Sequence, residues 1–267
     1  MLPRMLASVF RHRRLVWRHA VSHLRHRYAG SGLGVVWNLL HPLAMIAVYS
    51  VVFTVVVKAT ADVPKVSPGW GYVLYLCAGF LPWLAFAECV TRGTSAFTDN
   101  AAYLKKLPVP EPVFVAQAAA SAALGLALSF GLLAVLAVFV GLRPTALWLL
   151  VPVPLLAMQA LGLGLGLLLG TLNAFFRDVA EVLGVALQVV FWTAPIVYPI
   201  KNLPDWLATA MAWHPLFPAL DATRALFLYD HLPPAATWVG LFAWPAVVIL
   251  LATAVFNALR AEIRDVL

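Results

Sequence analysis

Glu88 is the one carboxylate set well inside an apolar run of this sequence rather than at an edge, and a charge so placed costs several kcal/mol unless paired or hydrated. It lies about one turn from the end of its run with Arg92 four residues on, so it either snorkels or forms an i, i+4 pair. One acid is too few for a chain of proton or ion sites. His41 and His214 each precede proline and have no histidine, cysteine or carboxylate at a metal-ligand spacing, so no metal site is predicted. Ser31, in a Gly-Ser-Gly turn with His23 and His26 upstream, lacks the orienting carboxylate of a nucleophilic triad and reads as a turn. The glycines of GLGLGLLLG (162 to 170) sit in an apolar run without lysine, and no G-x-x-x-x-G-K-[ST] loop occurs, so no nucleotide is expected to be hydrolysed by this chain alone. Cys77 and Cys89 share one run; on a helix they stand about 18 Å apart, too far for a disulfide, and read as small packing groups.

Such residues need a scaffold, and composition names it. Of 267 residues, 63% are hydrophobic and 11% charged, with a mean hydropathy of +0.90. That describes an all-α integral membrane protein, with room for about six or seven crossings and none for a sizeable soluble domain. The net charge of +7 is lopsided: seven of the 18 Lys and Arg precede residue 28, and no acid precedes Asp62. In so apolar a chain, anionic lipid is the expected partner of this basic end and nucleic acid is not.

Residues 1 to 34 form the first unit. Their Arg and His density excludes the continuous apolar core of a signal peptide. Arg4, Arg11, Arg18 and Arg25 recur every seven residues, with Val9, Phe10, Val16, Trp17, Ala20, Val21 and Leu24 opposite, the pattern of an amphipathic helix lying in the cytoplasmic interface. The second unit, 35 to 267, is a transmembrane domain with six predicted spans at 35 to 57, 71 to 91, 113 to 140, 146 to 172, 179 to 199 and 236 to 256. With six spans both termini share one side. That side collects 13 basic residues against five opposite (Lys58, Lys65, Arg143, Lys201 and Arg224), which assigns both termini to the cytoplasm.

Two connections and one span have particular shapes. Residues 100 to 107 predict a short cytoplasmic helix, with Asn100 capping it, Tyr103 and Leu104 as an apolar knob, Lys105 and Lys106 near its C-terminal end, and Pro108 ending it. The external segment 200 to 235 is half apolar and divided by Pro204, Pro215 and Pro218, which predicts a half-inserted helical hairpin between spans five and six. Gly162, Gly166 and Gly170 give span four a smooth face for a close neighbour.

Four ordered stretches carry a family likeness. RYAGSGLGVVWNLLHPLAMIAVYSVVF (27 to 53), FTDNAAYLKKLPVPEPVFVAQ (97 to 117), FFRDVAEVLGVALQVVFWTAPIVYPI (175 to 200) and HPLFPALDATRALF (214 to 227) resemble the permease subunits of type-2 ABC exporters that move lipid-linked polysaccharide such as O antigen, capsule or teichoic acid chains. His41 and His214 stand where asparagine is common in that family.

The resemblance implies a homodimer in the cytoplasmic (inner) membrane, bound to two copies of a separate ATP-binding subunit that holds ATP and Mg, and exporting an undecaprenyl-linked glycan; the chain itself would be no enzyme and carry no cofactor. It implies ATPase coupling through Asn100, Tyr103, Leu104, Lys105, Lys106 and Pro108, with a second contact at Arg177 and Asp178. It places spans one and five along the pathway, with Trp37, Tyr49, Phe191, Trp192 and Tyr198 as aromatic surfaces on which sugars slide, and Trp206, Trp213, His214 and Phe217 in the outer gate. Two alternatives stay open: export of a small hydrophobic compound or modified oligosaccharide, and a membrane-embedded transferase, which would require an acidic or histidine cluster.

Overall fold

The computed structural model describes residues 2–26, 36–56, 58, 61–64, 66–106, 109–200 and 203–266. Among them every regular element is a helix, with no strand. Four helical runs are long and apolar enough to cross a membrane: Pro68–Asp99, Pro112–Phe139, Ala146–Phe175 and Ala235–Ile263. The chain is thus a multi-pass α-helical membrane protein.

The axis of the bundle is α4 (Pro68–Asp99), which starts at a proline whose missing N–H costs nothing in a first turn. It is mostly covered by other helices, chiefly α6 (Pro112–Phe139) and α7 (Pro152–Phe175, preceded by the 3₁₀ turn Ala146–Leu150). On α7 in turn packs α11 (Ala235–Val266), and most of the surface of α6 and α11 is left uncovered by the rest of the chain. The crossing of α4 and α7 is made by the glycine face expected of span four. A Cβ on Gly166 would stand 3.0 Å from Gly93 Cα, and one on Gly170 2.6 Å from Gly93 O. Gly162 meets Cys89 in the same way, its notional Cβ 3.2 Å from Sγ. Here the backbones themselves touch.

Several expected boundaries move. Span two does not stop near residue 91: α4 continues to Asp99, because Gly93 and Thr94 are buried in the crossing and nothing before Asn100 breaks the helix. Span six likewise runs on to Val266, where Arg260 Nε pairs at 3.4 Å with the buried Glu111 at the start of α6. The helix expected at 179 to 199 is shorter than that range. α8 (Asp178–Thr193) ends where Pro195 forces Ala194 into an extended conformation, φ −79° and ψ 146°. In span one, α3 (Trp37–Ser50) passes directly into a π-helical turn, Val51–Val56.

The N-terminal segment forms two helices, α1 (Leu2–Arg11) and α2 (Arg13–His26), instead of one. His12 interrupts them and its Nδ1 is bonded to Ser8 O at 2.8 Å. Phe10 and Trp17 are exposed, as an interfacial helix requires, but Ala20 is fully buried because α2 packs on α6. Part of the apolar arc therefore serves the bundle. Arg92 Nη1 donates to His23 Nδ1 at 3.3 Å and to Glu88 Oε1 at 3.4 Å, so the expected i, i+4 pair exists and also ties α4 to α2. Partial desolvation and the positive field of Arg92 lower the His19 pKa.

Candidate functional site

The C-terminal end of α8 is where irregular backbone meets a group of polar side chains. After Thr193 the chain runs as a strap, 194 to 198, that is largely buried and has no helix to take its carbonyls. Each of four consecutive carbonyls receives a side-chain donor. Arg224 donates from Nη1 to Pro195 O at 2.6 Å and from Nη2 to Ile196 O at 2.7 Å. The Tyr72 hydroxyl donates to Val197 O at 2.7 Å, and that of Tyr75 to Tyr198 O at 3.3 Å. Two of the donors are tyrosines one turn apart on α4; the third residue sits on α10 (Phe217–Phe227). The guanidinium lies over the Tyr75 ring, 3.7 Å from its centroid, and Gly79 leaves the space for it, since a Cβ there would meet Nη2 at 2.5 Å. Tyr198 closes the arrangement by donating to Trp192 O at 2.8 Å.

Arg224 is the residue that sequence reasoning missed. Counted among the external basic residues, it is instead 6% exposed, with main-chain oxygens and an aromatic face for partners. The signal was an arginine in a mostly apolar helical segment, PALDATRALF, downstream of the helix-breaking APIVYP.

The expected pathway residues divide. Trp37 and Trp192 are exposed. Phe191 is half-buried in an aromatic cluster, 6.0 Å from Phe80, 5.8 Å from Trp83 and 5.1 Å from Trp192 between ring centroids. Tyr198 is half-buried and engaged in the strap. The side chain of Tyr49 lies outside the described residues. Two short helices, α9 (Asp205–Ala212) and α10, form in the segment 200 to 235, divided at Pro215 and Pro218 as expected. Trp206 and Trp213 are exposed there, while His214 is folded back, its Nδ1 accepting from Leu216 N–H at 3.2 Å. Trp213 and Phe217 form one wall of a groove of about 680 Å³ whose other wall is α11, including Val239, Gly240 and Trp244. α10 is seated more deeply: Phe227 packs 4.7 Å from Trp148 and 5.0 Å from Phe130, and Trp148 Nε1 donates to Phe227 O at 3.0 Å.

At the other end, α5 (Ala101–Lys106) is the expected short helix, and it corrects two assignments. Asn100 caps through its backbone carbonyl, which accepts from Tyr103 and Leu104, while its side-chain Nδ2 turns back to Ala96 O at 2.8 Å and closes α4. Leu104 is no knob for a partner. It is 0% exposed, in a cluster with Phe97, Phe114, Phe256 and Ile263, because a one-and-a-half-turn helix needs one apolar anchor to stay on the bundle. Tyr103, at 58%, and the two lysines face outward. Pro108 lies outside the described residues. Arg177 and Asp178 are exposed at the start of α8, whose first turn is tied down by Asn173: Nδ2 donates to Thr94 O and Oδ1 accepts from Ala180 N–H, both at 3.2 Å.

Comparison with known proteins bears on both ends of this architecture. The profile of the ABC-2 type transporter family matches residues 14–228, from α2 through the end of α10. The chain belongs to the ABC-2 type transporter family. Among curated ABC-2-like relatives, the O-antigen export system permease protein RfbA of Myxococcus xanthus is 28% identical over 98% of both chains. A protein of the same name from Klebsiella pneumoniae is 24% identical over 91% of both. The polysialic acid transport protein KpsM of Escherichia coli is 19% identical over 88% of this chain and 89% of its own. The strap, its three anchoring residues, α5 and the start of α8 all fall within the part of the chain that defines an ABC-2 transporter.

Proposed function

We propose that this chain is the membrane permease subunit of an exporter of lipid-linked polysaccharide, driven by a separate ATP-binding subunit. The observation that carries this reading is similarity to an O-antigen export permease over 98% of both chains. On this reading the functional unit is a homodimer in the inner membrane, the cargo an undecaprenyl-linked glycan, and ATP and Mg belong to the partner. Six spans follow if α3 with its π-helical turn, about 30 Å of helix, and α8, about 24 Å plus the strap, are the two shorter crossings. Both termini then face the cytoplasm, the side favoured by basic residues. Reporters fused at the C-terminus and inserted near Lys65 should report opposite compartments, and matching signals would end the six-span reading.

Coupling then runs through α5. Tyr103, Lys105 and Lys106 form the face offered to the ATPase, with Arg177 and Asp178 as a smaller second contact, while Leu104 passes displacement to α4 and α11 through Phe97, Phe256 and Ile263. The two halves of this helix should separate by mutation. Tyr103→Ala leaves the thermal midpoint unchanged but lowers glycan export and co-purification of the ATPase. Leu104→Ala opens a buried cavity and costs about 2–5 kcal/mol of stability, read as a lowered thermal midpoint. Normal export and normal co-purification in Tyr103→Ala would remove this face from the mechanism.

At the outer end, aromatic surfaces suit a moving sugar chain, because rings stack on sugar faces without fixing one residue in a deep well. The exposed Trp37 and Trp192 are the side chains placed to do this, with Trp206 and Trp213 on the hairpin as the outer gate.

A further inference from the structure

α8 is held unevenly along its length. Of its residues only Leu183 is buried, whereas the strap that follows is largely buried and bonded to its neighbours at four carbonyls in a row. Two of those bonds are charge-assisted and short, and hydrogen bonds of that kind are roughly twice as strong as neutral ones. At its first turn α8 has two neutral bonds through Asn173, both at 3.2 Å, beside the exposed Arg177 and Asp178. A helix fastened hard at one end, lightly at the other, and loosely packed between will move at the light end. The two tyrosines stand on the best-covered helix of the bundle, which gives the hard end a fixed base.

We propose that Tyr72, Tyr75 and Arg224 are positioning residues that make the strap 194 to 198 a stationary pivot, about which α8 swings from its cytoplasmic end during transport. Their action on cargo is indirect. They hold Trp192 and Tyr198 at the outer mouth while Val182 and Val185, on the exposed lower part of α8, travel. The inference rests on α8 lining the pathway only for its use in transport; the pivot itself is a mechanical property of the chain.

The test uses the complete transporter, permease with its ATPase, in lipid. Cys77 and Cys89 are buried, so cysteines introduced at exposed positions take spin labels selectively. Leu156 on α7 serves as the reference, paired in one protein with Val182 and in another with Thr193, all three exposed. Binding of a non-hydrolysable ATP analogue should shift the Leu156 to Val182 distance and leave Leu156 to Thr193 where it was. Tyr72→Phe combined with Tyr75→Phe removes two hydroxyls and keeps both rings. In that variant the Leu156 to Thr193 distribution should broaden, and glycan exported per ATP hydrolysed should fall several-fold, with ATPase association retained. A Thr193 distance in the native protein that shifts as much as that of Val182 overturns the pivot, whatever the variant does. An unmoved Thr193 with an unchanged export-to-hydrolysis ratio in the double variant would keep the fixed end but overturn the positioning role.

Discussion

Gly166→Leu should insert into the membrane and fail to assemble. At this position the side chain would be driven into Gly93, whose Cα lies 3.0 Å from where even a Cβ would stand, and the obstacle is backbone with no rotamer to yield. Overpacking a well-filled site costs typically about 1–3 kcal/mol and occasionally more, and here relief demands separation of α4 from α7, the most extensive contact in the bundle. The expected outcome is loss of the monodisperse peak in size-exclusion chromatography and of all export. Gly125→Leu is the matched control, since a Cβ there meets nothing within 4 Å. If both leucine variants elute and export alike, the crossing is not what holds the two helices.

The second large effect belongs to Arg224→Met. Methionine fills much of the same volume but leaves Pro195 O and Ile196 O buried without donors, at about 1–3 kcal/mol for each unsatisfied group. The thermal midpoint should fall well below that of the native protein, and a protease should cut within 194 to 198, where the native chain resists. Arg224→Lys recovers little, because a single ammonium cannot reproduce the forked contact with two adjacent carbonyls and the stack on Tyr75. Equal protease resistance in Arg224→Met and the native protein would show that the strap is secured by packing alone.

Much of this architecture was legible before any coordinates. Apolar runs bounded by Pro and Gly gave α6 to within one residue and the 3₁₀ turn with α7 to within three, and three glycines at every fourth position gave the face that meets α4. The prolines of 200 to 235 gave two short helices in place of one. What stayed hidden shares one cause: the partner has no signature in the sequence. Arg224 bonds main-chain carbonyls, which every residue has. Leu104 and Tyr103 are neighbours on a six-residue helix, and only the position of Phe97 and Phe256 decides which of them turns inward. The C-terminal continuation of α4 carries Arg92, Ser95 and Asp99 and so reads as a connection, yet Gly93, Ala96 and Phe97 within it are buried against helices encoded far downstream. Glu111 and Arg260 were unremarkable apart and form a pair only once α6 and α11 are both in place.

The strap also sets an order of events during biosynthesis. Tyr72 and Tyr75 have emerged from the ribosome long before the carbonyls they bond, and Arg224 follows Pro195 by 29 residues. At elongation rates of about 5–20 residues per second, that gap is on the order of one to six seconds. Throughout it, two peptide oxygens at the end of α8 have no partner in the nascent chain. Release from the insertion machinery before α10 docks would present the quality-control proteases with a frayed end, so α8 is best retained beside the translocon until the hairpin has been made. A ribosome stall placed just before Arg224 should therefore yield a short-lived product, and one placed just after α10 a durable one.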